Sequence, residues 1–322
     1  MSPITQLVRR ENFNVNTPLK LCEVGPRDGL QSEKQSLSLA SKRELVSTLM
    51  AAGVRNIEIG SFVKDVPQLM ETDALVQSLA QHPLRSQTRF TGLIFNSKGL
   101  QRARAAGVDG VCVVAIASDT LARKNSGKGA QESLQIALDL VDEAKAHNMF
   151  VRVDVATAWV CPFEGAMPQE RVLEFASCFL NKSNVDEVAL ADTIGHAHPL
   201  QVHGLFSALA DKYGSQRLAA HFHDTQGMAL ANVVAAYSAG VRSFDASIGG
   251  LGGCPFAPGA AGNLATEDFV LMAQSFTDTG VEHIQLELLW QAVENLEKHL
   301  GRRLGGRSHA WWQSKVNPRG SI

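Results

Sequence analysis

The sequence lacks any uninterrupted apolar run of the length, about 18 residues, that crossing a membrane requires. Its first twenty residues also lack the apolar core of a secretory signal, and carry Arg9, Arg10 and Glu11 instead. Five cysteines are widely spaced and form no C-x-x-C pair, which argues against a disulfide framework or a structural zinc site. These absences predict a cytoplasmic protein that has no membrane partner.

An excess of charge of one sign is also missing. The 322 residues contain 30 basic and 32 acidic side chains, and a formal net charge of −2 argues against binding to nucleic acid or anionic lipid. Aromatic residues make up only 6%, whereas 45% of the chain is apolar and 27 residues are glycine, as is common in α/β proteins. This apolar fraction suffices for a sizeable core and argues against disorder.

Short β-rich segments alternate with helical segments along the chain. We predict strands over 19–25, 56–61, 89–95, 109–116, 150–156, 186–192, 217–223 and 242–248. We predict helices over 38–52, 66–81, 97–106, 130–147, 168–182, 199–213, 227–239 and 265–279. Eight such units predict a (β/α)8 TIM barrel. An open doubly wound sheet is the alternative, but no G-x-G-x-x-G follows the first strand.

The C-terminal part extends beyond the eight units. Residues 285–300 carry apolar side chains at three- and four-residue spacing, which predicts an additional helix. This helix is expected to pack on the flank of the barrel or to form a dimer contact, and the expected assembly is a homodimer. We therefore predict one catalytic domain over 1–300 and a Gly- and Arg-rich tail over 301–322, whose structure the sequence leaves open.

The polar residues that end the predicted strands indicate where function resides, because active sites of barrels lie at the C-terminal ends of the strands. His221 and His223 are two residues apart on a strand and therefore point to the same side. They are either a pair of hydrogen-bonded histidines or ligands of a metal, and the expected neighbours Asp28, Asn263 and Asp192 favour the metal. Imidazoles with carboxylate and amide oxygens suit Mg²⁺ or Mn²⁺.

A glycine-rich segment, residues 249–259, follows the last predicted strand and contains Cys254. It is either a turn-rich loop or a mobile lid that places Cys254 over the site, as proton donor or nucleophile. The absence of a nucleophile-elbow turn weakens the acyl-enzyme interpretation. His196 and His198 form a second H-x-H in a loop, and we interpret them as structural.

Two sequence motifs resemble those of a known family. Residues 23–31, EVGPRDGLQ, resemble the opening motif of metal-dependent lyase and Claisen-condensing barrels. Residues 252–268, GGCPFAPGAAGNLATED, resemble the cysteine-loop signature of the hydroxymethylglutaryl-CoA lyase family. Further similar segments are Ser61 to Val63, Cys161 to Gly165, Asp192 to Gly195 and His221 to Thr225. The resemblance covers about residues 18 to 300.

The resemblance implies specific roles for site residues. It implies that the divalent cation, Mg²⁺ or Mn²⁺, is bound by Asp28, His221, His223 and Asn263. It also implies that Arg27 stabilises the thioester enolate, that Cys254 transfers a proton, that Glu58 and Asp192 orient neighbouring groups, and that Lys34 lies near the CoA end. His221 and Asp28 are both candidates for the base.

The implied reaction is the retro-Claisen cleavage of 3-hydroxy-3-methylglutaryl-CoA to acetyl-CoA and acetoacetate, a step of leucine degradation and ketone-body metabolism. Three alternatives remain. The substrate could be a related 3-hydroxyacyl-CoA, citramalyl-CoA-like or with a longer branch, because residues 196–199, HAHP, depart from the family pattern. A Claisen-condensing enzyme would generally lack the cysteine loop. A metal- or CoA-binding protein without activity would retain its ligand when Cys254 is replaced by Ala.

Overall fold

Eight parallel strands form a closed barrel in the computed structural model, which describes residues 17–64, 66–182, 184–253, 262–276 and 279–316. The strands are β1 (Lys20–Glu23), β2 (Asn56–Ser61), β3 (Arg89–Ile94), β4 (Gly110–Ile116), β5 (Phe150–Ala156), β6 (Glu187–Asp192), β7 (Leu218–Phe222) and β8 (Ser243–Ala246). Each strand pairs with its neighbours in the chain, and β1 closes the barrel against β8. The predicted TIM barrel is confirmed.

Helices surround this barrel. They are α1 (Leu39–Ala52), α2 (Thr72–Ser78), α3 (Ser97–Ala106), α4 (Asp119–Ser126), α5 (Ala130–Ala146), α6 (Gln169–Leu180), α7 (Pro199–Tyr213), α8 (Ala229–Ser238), α9 (Thr266–Gln274), α10 (Leu286–Leu300) and α11 (Arg307–Val316). Helix α1 shows why the boundaries fall where they do. The Ser38 hydroxyl accepts the backbone N–H of Ser41, and Gly53 adopts the left-handed conformation that ends the helix.

Two predicted segments differ from the structure. The helix predicted over 66–81 is a short 3-10 turn, Pro67–Leu69, followed by α2. The break arises because the Thr72 hydroxyl donates to the Leu69 carbonyl and accepts the N–H of Ser61, which fixes the chain against β2. Helix α4 was not predicted, although Ser118 caps its first turn and Gly127 ends it in the left-handed conformation.

The core lies between the strands and the inner faces of the helices. Strands β2 to β8 are almost entirely buried, as expected of a parallel sheet that is covered on both sides. Helix α5 places Leu134, Ala137, Val141 and Ala144 in this core, because their three- and four-residue spacing puts them on one face of the helix. Among the described residues, no helix has the combined length and apolarity that crossing a membrane needs.

The C-terminal segment packs back onto the barrel. The stripe of α10 is buried against α1, and α11 begins where Asp268 accepts the backbone N–H groups of Arg307 and Ser308. Trp312 stacks on Trp290 with ring centroids 5.2 Å apart. The Gly305 N–H donates to the Gly249 carbonyl, so the end of the chain contacts the turn that follows β8.

Glu267 makes the stability of this region dependent on pH. Its side chain is fully buried in the first turn of α9 and accepts the N–H of Gly249. Burial, reinforced by Asp268, raises the pKa of Glu267 from 4.5 to about 8. Between these values the folded protein retains a proton that the unfolded chain releases. The free energy of unfolding therefore falls as pH rises, by up to about 1.4 kcal/mol per pH unit.

We expect Glu267→Gln to remove this dependence. Because Gln carries no charge, the variant should become more stable relative to the wild type as pH increases from 5 to 8. Urea unfolding across this range measures the difference, and Glu170→Gln at the exposed start of α6 is the control. Parallel profiles for wild type and Glu267→Gln would contradict the prediction.

Candidate active site

A single π-helical turn, Gly25–Gly29, carries the first site residues beyond β1. Glu23 Oε1 accepts the N–H groups of Gly25 at 2.7 Å and Ile248 at 2.9 Å, so the turn is tied to the segment that follows β8. A Cβ atom on Gly25 would lie 2.6 Å from this oxygen, which explains the glycine. Arg27 and Asp28 are thereby fixed at the C-terminal rim of the barrel.

The four predicted metal ligands lie together at this rim. Asp28 Oδ2 is 3.5 Å from His223 Nε2 and 4.0 Å from His221 Nε2, and ligand atoms of these three residues all lie within 4.8 Å of one another. Asn263 Nδ2 donates to the same Asp28 oxygen at 2.9 Å. The end of β7, with the residue that follows it, and the segments after β1 and β8 thus bring two imidazoles, a carboxylate and an amide close together.

This cluster has the chemistry of a divalent cation site. Asn263 Oδ1 is buried and has no hydrogen-bond partner among the described residues, an arrangement that is costly unless a ligand completes it. Negative charge also exceeds positive charge in the barrel interior. The carboxylates of Asp28, Glu58, Asp154, Glu187 and Asp245 share two guanidinium groups, those of Arg27 and Arg152. The residues therefore fit Mg²⁺ or Mn²⁺.

Arg27 connects the cluster to Glu58. Its Nε lies 2.9 Å from Glu58 Oε2, and its Nη1 lies 2.5 Å from Asp28 Oδ1. Burial alone would lower the pKa of Arg27, but the two carboxylates raise it, so the guanidinium remains charged. Burial raises the pKa of Glu58 to about 7 despite Arg27. In Asp28, the effect of burial is outweighed by Arg27 and the histidines, which hold its pKa well below the usual value.

An irregularity of β2 positions Glu58. The pairing of β2 with β3 shifts register between Glu58 and Gly60, as in a β-bulge. Gly60 lies so close to Thr72 that a Cβ atom there would be 2.3 Å from the threonine hydroxyl. Position 60, two residues after Glu58, therefore has room only for glycine.

Of three further predicted site residues, the structure describes Asp192 and Lys34. Both carboxylate oxygens of Asp192 accept backbone N–H groups, those of His196 and Ala197, so Asp192 holds the loop after β6. Burial raises the pKa of Asp192. Lys34 is exposed between the π-helical turn and α1. Cys254 lies outside the described residues, whereas Gly253 and Asn263, which precede and follow the segment that contains it, are at the site.

A cavity of about 400 Å³ opens from the metal cluster. Arg27, Asp28, His221 and His223 form its polar end, and Gly253 also contacts it. Its wall toward β3 and β4 is apolar and consists of Val63, Val66, Leu93, Phe95, Val114, Ile116 and Leu121. The cavity can therefore hold a ligand with a polar head and an apolar branch.

Sequence reasoning missed three charged residues inside the barrel. Arg152, Asp154 and Asp245 are buried, and Arg152 binds both carboxylates. Arg152 and Asp154 are two residues apart on β5, so they point to the same side in an otherwise apolar strand. Charge at this spacing in a buried strand is the signal that could have identified Arg152 and Asp154.

The chain is similar to proteins of one family. A family model described as HMGL-like matches residues 18–294. The chain is 40% identical over 286 residues to the hydroxymethylglutaryl-CoA lyase of Pseudomonas mevalonii, covering 88% of this chain and 93% of that relative. It is 37% identical over 299 residues to the 3-hydroxy-3-isohexenylglutaryl-CoA/hydroxymethylglutaryl-CoA lyase of Pseudomonas aeruginosa, covering 92% of this chain and 97% of that relative.

A solved structure supports the same relationship. An HMG-CoA lyase from Acinetobacter baumannii, in complex with coenzyme A and 3-methylmalate, superimposes with a TM-score of 0.83 at 34% identity. The match covers 95% of this chain and 97% of that chain. Both the sequence and the fold of this chain are therefore similar to those of HMG-CoA lyases over almost the whole length.

Proposed function

Because the chain belongs to the HMGL-like family, we propose that it is a divalent-metal-dependent carbon–carbon lyase that cleaves 3-hydroxy-3-methylglutaryl-CoA. The products are acetyl-CoA and acetoacetate. The observation that carries the proposal is the convergence of Asp28, His221 and His223, with Arg27 in contact with Asp28. Relatives that are named hydroxymethylglutaryl-CoA lyases support the same substrate.

The cation site consists of Asp28, His221, His223 and Asn263. When bound there, Mg²⁺ or Mn²⁺ acts as a Lewis acid that lowers the pKa of the substrate hydroxyl. Asp28 is ionised at neutral pH because Arg27 lowers its pKa, so no proton has to leave it before a cation binds. The neighbouring imidazoles need to be neutral in order to present a lone pair.

The chain's own groups account for the remaining proton and charge movements. Asp28 accepts the hydroxyl proton, because Nε2 of His221 faces the cation site and its Nδ1 contacts Asp245. The C2–C3 bond breaks, and its electron pair moves into the thioester as an enolate while C3 becomes a ketone. Arg27 stabilises the enolate oxygen, held in place by its ion pair with Glu58. The Cys254 thiol gives its proton to C2, which completes acetyl-CoA.

Asp192 and Lys34 have supporting roles in this proposal. Asp192 orders the loop 193–197, of which Thr193 contacts the cavity, and so acts on the substrate hydroxyl through this loop. Lys34 is exposed and available to the distal, phosphate-bearing end of CoA.

The test is a direct assay of the purified chain. With Mg²⁺ or Mn²⁺ it should release acetyl-CoA and acetoacetate in equal amounts, and a chelator should stop the release. The Cys254→Ala variant should retain Mn²⁺ binding and lose turnover. Release of no acetyl-CoA from any 3-hydroxyacyl-CoA by the metal-loaded wild type would defeat the proposal, leaving a binding protein as the alternative.

A second candidate is a lyase for a 3-hydroxyglutaryl-CoA with a longer apolar branch at C3. The apolar wall near β3 and β4 favours it, since a methyl group alone would cover little of that wall. A relative at 37% identity is named for both a methyl and an isohexenyl substrate. Comparing kcat/KM for these two thioesters decides: a higher value for the branched substrate favours the second candidate.

Location and assembly complete the proposal. We propose a cytoplasmic homodimer. The four described cysteines are free thiols, which suits a reducing compartment. Gel filtration with light scattering tests the assembly, and a monomer at micromolar concentration would contradict it.

A further inference from the structure

A buried ion pair lies behind the metal cluster, inside the barrel. Arg152 on β5 donates from Nη1 to Asp245 Oδ1 at 2.7 Å and from Nη2 to Asp245 Oδ2 at 2.6 Å. Asp245 lies on β8, and the exposed fractions of the two residues are 4% and 3%. The pair therefore has the bidentate geometry that only arginine can form with a carboxylate.

The same carboxylate contacts a proposed metal ligand. His221 Nδ1 lies 3.0 Å from Asp245 Oδ2, and His221 Nε2 faces Asp28. An ionised carboxylate can only accept hydrogen bonds, so the proton of the neutral imidazole is held on Nδ1. The lone pair of Nε2 is then directed toward the Asp28 oxygen, where a cation would be bound.

Arg152 is itself held so that it cannot release Asp245. Its Nε donates to Asp154 Oδ1 at 2.8 Å, and its Nη1 lies 3.5 Å from Glu187 Oε2. Buried ion pairs contribute little to stability, because desolvation offsets the attraction, and apolar residues could fill the same space. The arrangement therefore calls for a reason other than stability, and its contact with His221 supplies one.

We propose that Asp245 is a positioning residue that fixes the tautomer and ring orientation of His221 for the cation, and that Arg152 holds Asp245 in place. The inference rests on the proposed metal-dependent function and adds residues that the ligand set does not include. Carboxylates behind metal-bound histidines commonly affect metal affinity roughly 10- to 100-fold.

The test is Asp245→Asn. Three N–H donors meet this carboxylate, two from Arg152 and one from His221, whereas Asn offers one acceptor oxygen and an N–H₂ group. With the amide facing His221, the imidazole proton moves to Nε2 and occupies the position needed by the cation. We expect the Kd for Mn²⁺, measured by electron paramagnetic resonance of free Mn²⁺, to rise roughly 10- to 100-fold.

A second readout is independent of metal and of activity. Two-bond ¹H–¹⁵N spectra of the metal-free protein at alkaline pH, assigned with His221→Gln, report the imidazole tautomer. Wild type should show the proton on Nδ1, and Asp245→Asn should lose this preference. A merely structural role would lower the melting temperature without changing the tautomer.

Two variants complete the design. Glu33→Gln alters another buried carboxylate, which pairs with Arg302 and not with Arg152, and should leave the Mn²⁺ Kd and the His221 tautomer unchanged. Arg152→Lys, which cannot bind both Asp245 oxygens, should weaken Mn²⁺ binding, and it provides the test if Asp245→Asn does not fold. If Asp245→Asn and Arg152→Lys keep the wild-type Kd for Mn²⁺ and the wild-type His221 tautomer, the inference is overturned but the proposed function is not. If the wild-type protein binds no Mn²⁺, the proposed function itself is overturned.

Discussion

Replacing Asp28 by Asn is expected to lower lyase turnover by at least about 1000-fold, which corresponds to roughly 4 kcal/mol of lost transition-state stabilisation. Asp28 is the one carboxylate among the four proposed ligands, and its Oδ2 also accepts from Asn263. The amide of Asn has nearly the same shape but no charge. If its N–H₂ group faces the imidazoles, it also opposes their lone pairs.

Mn²⁺ titration should show the same loss directly. The Kd of Asp28→Asn should exceed the wild-type value at least tenfold, and raising the Mn²⁺ concentration should restore only part of the turnover. Asp142→Asn, which changes an exposed carboxylate that pairs with Lys182 on the outer surface, serves as the control. An Asp28→Asn protein with wild-type Mn²⁺ affinity would place the cation elsewhere.

The barrel was predictable because each unit carries its own local signals. Strands β2 and β5 and helices α3 and α7 begin and end at the predicted residues, since apolar periodicity and capping residues act over short distances. The π-helical turn Gly25–Gly29 could not be predicted in this way. It depends on Glu23, whose hydrogen bonds reach Ile248, more than 200 residues away.

The proximity of the four candidate metal ligands was predictable to a similar extent. Asp28, His221, His223 and Asn263 are brought together by the topology alone, because the C-terminal ends of parallel strands meet at one rim of a barrel. The layer beneath them was missed. Arg152 and Asp245 are 93 residues apart, and neither position indicates by itself that the two side chains meet inside the barrel.

Arg27→Lys is expected to lower kcat roughly 100- to 1000-fold while the Kd for Mn²⁺ remains within about threefold of the wild type. The guanidinium contacts Glu58 through Nε and Asp28 through Nη1, and this leaves its remaining N–H groups available to the enolate oxygen at the cavity. Lysine retains the charge, and with it the low pKa of Asp28, but its single ammonium group cannot make both contacts and also reach the substrate.

Measuring both kcat and the Kd for Mn²⁺ separates the role of Arg27 from that of Asp28. If Arg27 acts on the enolate, its substitution affects turnover and not cation binding, whereas Asp28→Asn affects both. Arg123→Lys, at an exposed ion pair with Asp119, controls for the exchange of side-chain type. A rise in the Mn²⁺ Kd of Arg27→Lys as large as that of Asp28→Asn would instead show that Arg27 acts mainly by holding Asp28. The stabilisation of the enolate would then have to come from another group at the cavity.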